Sequence, residues 1–204
     1  MQSHFRRKAL SFDSLYDESG FVQRRVRPGL LARRDIALEI VDSYASPSVL
    51  DVGCGSGRIG EEVLEHGAGR YVGVDFSEPM LDLARTRLER FDAPVELVCG
   101  DFLEVPLEGT FDVVLALGLF DYLPDAPTFV RRMRELCSGT VVASFPGWHW
   151  FKGPIRRVRY EVVNKVPIFD YTEAGLRRMF ADAGFSRVEL VRPGRSGFVA
   201  RAFV

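Results

Sequence analysis

With 204 residues the chain has the length of one domain, or of one domain with a small addition, and enough residues to bury a substantial core. Hydrophobic residues at 47% and charged residues at 27% exclude a disordered or fibrous chain. The net charge is -1, no run approaches the roughly 18 apolar residues of a membrane span, and the opening MQSHFRRKALSF lacks the apolar core of a secretory signal, so a cytoplasmic protein is expected.

Residues 1–34 read as an N-terminal arm with scattered apolar anchors at Phe12, Leu15, Tyr16 and Phe21. This arm either covers a substrate as a lid or packs on the core. Leu30, Leu31, Ile36, Ala37, Ile40 and Val41 then recur at helical spacing, predicting a helix of about three turns before Ser46-Pro47 breaks it. Eight Lys/Arg against three acids leave residues 1–34 at +5, and residues 145–166 stand at +4. Two basic segments on an acidic body either present an electropositive rim to an anionic ligand or form ordinary solvated faces.

Val49–Gly57, VLDVGCGSG, combines a buried strand with glycines at alternate positions, which describes a turn too tight for side chains. The helix after it, Arg58 to His66, turns Ile59, Val63 and Leu64 to one face. Strand, glycine turn and helix in that order form a nucleotide-binding half-unit, because backbone N–H groups can approach a ligand at the helix N-terminus. A second strand, Tyr71 to Val74, ends in Asp75, 20 residues after Gly55. A carboxylate at that strand tip can accept hydrogen bonds from both hydroxyls of a ribose. Ser77 has the character of an N-cap for a helix carrying Met80, Leu81, Ala84 and Leu88 inward.

The third strand, Val95–Cys99, again ends beside an acid, Asp101. Phe111–Leu117 is the most continuous apolar run and suits the centre of a parallel sheet, with Gly118-Leu119-Phe120-Asp121-Tyr122 emerging beside the glycine turn. A helix over Pro127–Leu136 and a fifth strand over Thr140–Ser144 complete four alternations, which predict an α/β, doubly wound sheet with right-handed crossovers. Residues 145–167 are aromatic and basic without a clean period and read as an insertion on the substrate side of a domain spanning 35–204. Thr172 caps a helix through Ala183, and Ser186–Val191 and Gly197–Val204 form a closing antiparallel hairpin. Cys54, Cys99 and Cys137 lie far apart with no CxxC spacing, so they read as reduced, buried thiols and no metal site is expected.

In order, spacing and residue type, VLDVGCGSG, GVDFSEPM, CGDF and FDVVLALGLFDYL resemble the class I S-adenosylmethionine-dependent methyltransferases. The likeness covers residues 36–144 strongly and 168–204 by architecture only. It implies a seven-stranded, mostly parallel Rossmann-like sheet with its last strand inserted antiparallel, and S-adenosylmethionine as cofactor. By likeness, Gly53, Cys54, Gly55 and Gly57 would approach the methionine and ribose portion, and Asp51 would organise the amino-acid end. Asp75 would hold the ribose hydroxyls and Asp101 the adenine amino group. Phe76, Met80 and Phe102 would flank the adenine ring, and Leu117 and Gly118 would supply backbone near the methionine amino group.

Gly55-Ser56-Gly57-Arg58-Ile59-Gly60 is also a literal GxGxxG, which keeps open an NAD-dependent oxidoreductase or a noncatalytic adenosine-ligand binder. Against the dinucleotide register, the glycine pattern begins at Gly53, directly after the strand, and Gly60 falls in the helix. Asp101 and the hairpin have no part in that reading. For methyl transfer the chemistry asks mainly for alignment and exclusion of water. A base is needed only where the nucleophile arrives protonated, and His149, Asp121 and Tyr122 are the catalytic candidates. His149 equally suits a packed histidine between two tryptophans. Tyr16, Trp148, Trp150, Arg156, Tyr160 and Tyr171 suit an aromatic or anionic small molecule better than a nucleic acid, which would need a basic domain.

Overall fold

A computed structural model describes residues 28–121, 123–146, 171–193 and 197–204. Helix α1 (Pro28–Asp42) leads into β1 (Ser48–Val52), α2 (Arg58–Glu65), β2 (Arg70–Asp75), α3 (Glu78–Leu88) and β3 (Val95–Cys99). There follow β4 (Phe111–Ala116), α4 (Ala126–Leu136), β5 (Cys137–Phe145), α5 (Glu173–Asp182), β6 (Arg187–Val191) and β7 (Phe198–Phe203). The seven strands form one sheet in the order β3-β2-β1-β4-β5-β7-β6. All pairs from β3 to β5 are parallel, whereas β7 runs antiparallel between β5 and β6. Continuous apolar character puts β4 at the centre, and β7 enters antiparallel because a short connection from β6 leaves no room for a crossover.

Alternation of side chains along each strand divides the core into two layers. Leu50, Val72, Val114 and Val141 face Val130 and Met133 of α4 and Leu176 and Phe180 of α5. Their neighbours Val49, Tyr71, Val113 and Val142 face Ile36, Ala37 and Val41 of α1 and Val63 of α2. Helices thus cover both faces, as parallel strands require. Asp125 caps α4 by accepting from the Thr128 amide at 3.2 Å, and Thr172 caps α5 by accepting from the Gly175 amide at 3.1 Å.

Four local expectations are corrected. Helix α1 begins at Pro28, so the boundary between residues 34 and 35 falls inside a helix. Strand β5 begins at Cys137 rather than Thr140, because Ser138-Gly139 is not a turn: a Cβ on Gly139 would lie 2.5 Å from the Asp112 carbonyl oxygen, and glycine permits that approach. Ser77 occupies the N-cap position of α3, yet its hydroxyl makes no capping bond. Cys54 and Cys137 are buried, but Cys99 is exposed, since β3 is an edge strand with a half-covered face. Among the described residues no helix is long and apolar enough to cross a membrane, and no group of three His, Cys, Asp or Glu side chains is placed to hold a metal.

Candidate active site

The chain leaves β1 towards β2 and β3 on one side, then returns to place β4 on the other. That reversal opens a crevice at the carboxyl ends of β1 and β4, where open parallel sheets take their ligands. The glycine turn fills one wall. Gly53, Gly55 and Gly57 have φ of 77°, 54° and 75°, a left-handed conformation that strains other residues. A Cβ on Gly53 would sit 3.2 Å from Leu119 Cδ1 beyond β4, and one on Gly57 would sit 3.0 Å from Ala84 Cβ in α3. At Gly55 a Cβ would meet nothing within 4 Å, so the middle of the turn faces open space. The Gly53 and Cys54 amides donate to the Val74 carbonyl at 2.8 and 3.2 Å, which ties the turn to β2, and the Gly57 amide donates to the Cys54 carbonyl at 3.0 Å, which closes the turn on itself.

Beneath the turn lies a buried polar cluster. Tyr71 Oη donates to Asp51 Oδ2 at 2.9 Å, with the tyrosine fully buried and the carboxylate almost so. Burial pushes the Asp51 carboxyl up to about 7; the tyrosine hydrogen bond opposes this, and the Asp75 charge adds to it. The Cys54 thiol packs over Gly73, where a Cβ would lie 2.8 Å from Sγ, and burial holds this thiol well above its usual range. It is protonated and unreactive at neutral pH. Gly60, which sequence reasoning treated as incidental, has a packing duty instead. A Cβ there would lie 2.5 Å from Tyr71 Cζ, so only glycine lets α2 settle on that ring.

At the tip of β2, Asp75 is tied to the turn on one side and to α3 on the other. Its Oδ2 accepts from the Gly55 amide at 3.0 Å and its Oδ1 from the Ser77 amide at 2.9 Å. These bonds, with one from the Phe76 amide, pull its pKa down, but burial is the larger effect and the carboxyl stands above its ordinary value. Beside it, the Ser77 hydroxyl is buried without a partner. Phe76 and Met80 are half-buried nearby in sequence, available for a flat ligand face. Asp101 is exposed and its Oδ1 accepts from the Leu103 amide at 3.0 Å, closing a turn after β3. The Phe102 ring is buried, 5.6 Å from the Phe129 ring centroid, and belongs to the core.

Across the crevice, the edge of β4 and β5 is built from side chains. The Gly118 amide donates to Ser144 Oγ at 2.7 Å, and Arg33 of α1 reaches the same hydroxyl with Nη1 at 3.5 Å. A Cβ on Gly118 would lie 3.3 Å from that guanidinium, so glycine admits the arginine over the strand end. Leu117 and Asp121 are half-buried on the same edge. Phe120 and Phe145 stack at 4.3 Å, with the Tyr171 ring edge-on to Phe145 at 5.1 Å. The Tyr171 amide donates to the Pro146 carbonyl at 3.1 Å, which holds these two residues together beside the end of β5. Burial and the Asp121 charge push the Tyr171 hydroxyl up to about 12, which makes it a donor rather than a base at neutral pH.

Residues 49–139 match the model of a methyltransferase domain family. Over that stretch the chain is similar to methyltransferase domains. A ubiquinone biosynthesis O-methyltransferase of Coxiella burnetii is 30% identical over 132 residues, which span 62% of this chain and 53% of that protein. A malonyl-[acyl-carrier protein] O-methyltransferase of Acetivibrio thermocellus is 28% identical over 146 residues, 71% of this chain and 48% of the other. The chain therefore spans about half the length of these curated relatives. In fold it is similar to a magnesium protoporphyrin IX methyltransferase from Synechocystis PCC 6803, with a TM-score of 0.76, 19% identity, and coverage of 99% of this chain and 97% of that one.

Within this methyltransferase fold the sequence-predicted residues divide by location. Asp51, Gly53, Cys54, Gly55, Gly57, Asp75, Phe76 and Met80 gather around β1 and β2, and Leu117, Gly118, Asp121 and Tyr171 lie at the β4–β5 edge. Tyr16, Tyr122, Trp148, His149, Trp150, Arg156 and Tyr160 lie outside the described residues. Sequence reasoning missed Arg33, Tyr71 and Ser144. Arg33 and Ser144 are 111 residues apart and carry no local signal, whereas an aromatic on β2 two residues before a glycine was readable but looked like plain core.

Proposed function

We propose that this chain moves the methyl group of S-adenosylmethionine to a small-molecule acceptor by in-line displacement. The observation that carries the reading is Asp75, clamped between the Gly55 and Ser77 amides beside a glycine turn that faces open space. With three amides bound, the carboxylate keeps one lone-pair direction for a ribose hydroxyl, and the orphaned Ser77 hydroxyl lies alongside. The residues present fit the cofactor. When bound, S-adenosylmethionine supplies a sulfonium methyl open to displacement.

The chain's own residues bind, orient and exclude water. Asp75 holds the ribose, Asp101 takes the adenine amino group with its remaining carboxylate capacity, and Phe76 and Met80 flank the ring. Asp51 serves the ammonium end and Arg33 the carboxylate of the amino-acid portion. On the acceptor side, Tyr171, whose hydroxyl donates to the Phe120 carbonyl at 3.4 Å, offers its ring, and Asp121, whose charge it feels, is the base where the acceptor arrives protonated. The aromatic and basic composition of residues 145–167 supports an aromatic or anionic acceptor. Two relatives that bear the name O-methyltransferase also support a small acceptor.

Gly60 does not separate this reading from an oxidoreductase, since a third glycine packs helix on strand in dinucleotide folds as well. Topology favours the methyltransferase: dinucleotide sheets run in the order 3-2-1-4-5-6, and here an antiparallel β7 intervenes between β5 and β6. Calorimetry is expected to show S-adenosylhomocysteine binding and none of NAD; the opposite pattern would end the proposal. Radiolabelled methyl donor with metabolite extract is expected to leave label on a small molecule, and a noncatalytic binder would leave none.

A further inference from the structure

Asp51 is a buried acid in unusual company. The ionisable groups that act on it are Tyr71 and Asp75, both of β2, and its own charge in turn raises the Cys54 thiol of the turn: a phenol, a second carboxylate and a thiol. Each is neutral or negative. A buried carboxylate in such surroundings sits near half-ionisation at neutral pH, and its value of about 7 reflects this. Its hydrogen bond is held with little freedom. Tyr71 has no exposed surface, its ring is packed against Gly60 of α2, and its hydroxyl reaches Asp51 across the β1–β2 pair at 2.9 Å. Packing of this kind sets the direction from which the proton is donated, and hence which carboxylate oxygen stays available.

We propose that Tyr71 is the positioning residue for the cofactor's cationic amino-acid end, holding Asp51 ready to ionise so that cofactor binding expels a proton from this pocket. The proposal rests on the methyltransferase reading above. The ligand's ammonium supplies the positive charge that the cluster lacks. In the free protein, protonated Asp51 loses its proton to solvent as the ammonium arrives, and the carboxylate–ammonium pair replaces the O–H bond. The sign follows. Because the ligand favours the ionised form, affinity is highest above the ligand-free pKa of Asp51 and falls as pH drops through it. The Tyr71 hydrogen bond lowers that pKa, so its removal moves the fall to higher pH.

Isothermal titration of S-adenosylhomocysteine into the full chain, from pH 6 to 9 and in buffers of different ionisation enthalpy, tests this. Wild type is expected to release a proton on binding near pH 7 and none at pH 9. Tyr71→Phe, which keeps the ring, is expected to bind about tenfold more weakly at pH 6 and to come within about twofold of wild type at pH 9. Asp51→Asn is expected to abolish the proton release. An equal loss in Tyr71→Phe at every pH would show a packing role only and overturn the proposal, as would wild-type binding without proton release. A wild type that binds no S-adenosylhomocysteine at any pH would remove the methyltransferase reading with it, a distinct outcome.

Discussion

The two walls of the crevice are made differently. The β1–β2 wall consists of main chain: a left-handed glycine turn, strand-tip carboxylates fastened to amides, and a space left where side chains are missing. The β4–β5 wall consists of side chains from distant elements, with Arg33 of α1 meeting Ser144 of β5 over Gly118, and Tyr171 returning beside Phe145. Main chain is rigid and recognises what every ligand of a family shares. Side chains from several elements can vary one at a time, so we propose that acceptor specificity lies in the part of the second wall around Tyr171 and Asp121, with Arg33 left to the cofactor.

Three substitutions probe that contrast. Asp75→Ala has the largest expected effect, since it removes the carboxylate proposed to hold the ribose and unfastens the Gly55 and Ser77 amides together. S-adenosylhomocysteine affinity should fall about a hundredfold by calorimetry, and an unchanged affinity would remove the ribose role. Gly60→Ala forces a Cβ into the Tyr71 ring and should lower stability by roughly 1–3 kcal/mol in urea unfolding, with a weaker cofactor site as a secondary result. Arg33→Ala should leave the unfolding midpoint in place and weaken S-adenosylhomocysteine by about tenfold. Were affinity untouched and only the acceptor KM raised, Arg33 would belong wholly to the acceptor wall and the contrast would sharpen.

Much of the first wall was readable because its determinants are local. Three glycines at alternate positions after an apolar strand dictate a turn, and an acid at the next strand tip falls beside it through the register of two parallel strands. The same locality explains the misses. Ser77 has the right residue type and position for a cap, but Pro79 has no amide hydrogen and the Met80 amide goes to the Ser77 carbonyl at 2.9 Å, which leaves the hydroxyl unbonded. Gly139 lies before the strand expected over Thr140–Ser144, yet it is a strand residue, its missing Cβ leaving room for the Asp112 carbonyl. Phe102 follows Asp101 in sequence, while its ring is buried against Phe129.

Sequence alone determined the strand and helix alternation, the glycine turn, the paired acids at strand tips and the closing hairpin, all set by periodicity and backbone sterics within a few residues. Tertiary structure alone decided that Tyr71 serves Asp51, that Gly60 exists to let α2 meet that tyrosine, and that Arg33 arrives over Gly118. Those contacts join residues 11 to 85 positions apart, and burial, not neighbouring sequence, sets the charge state of Asp51.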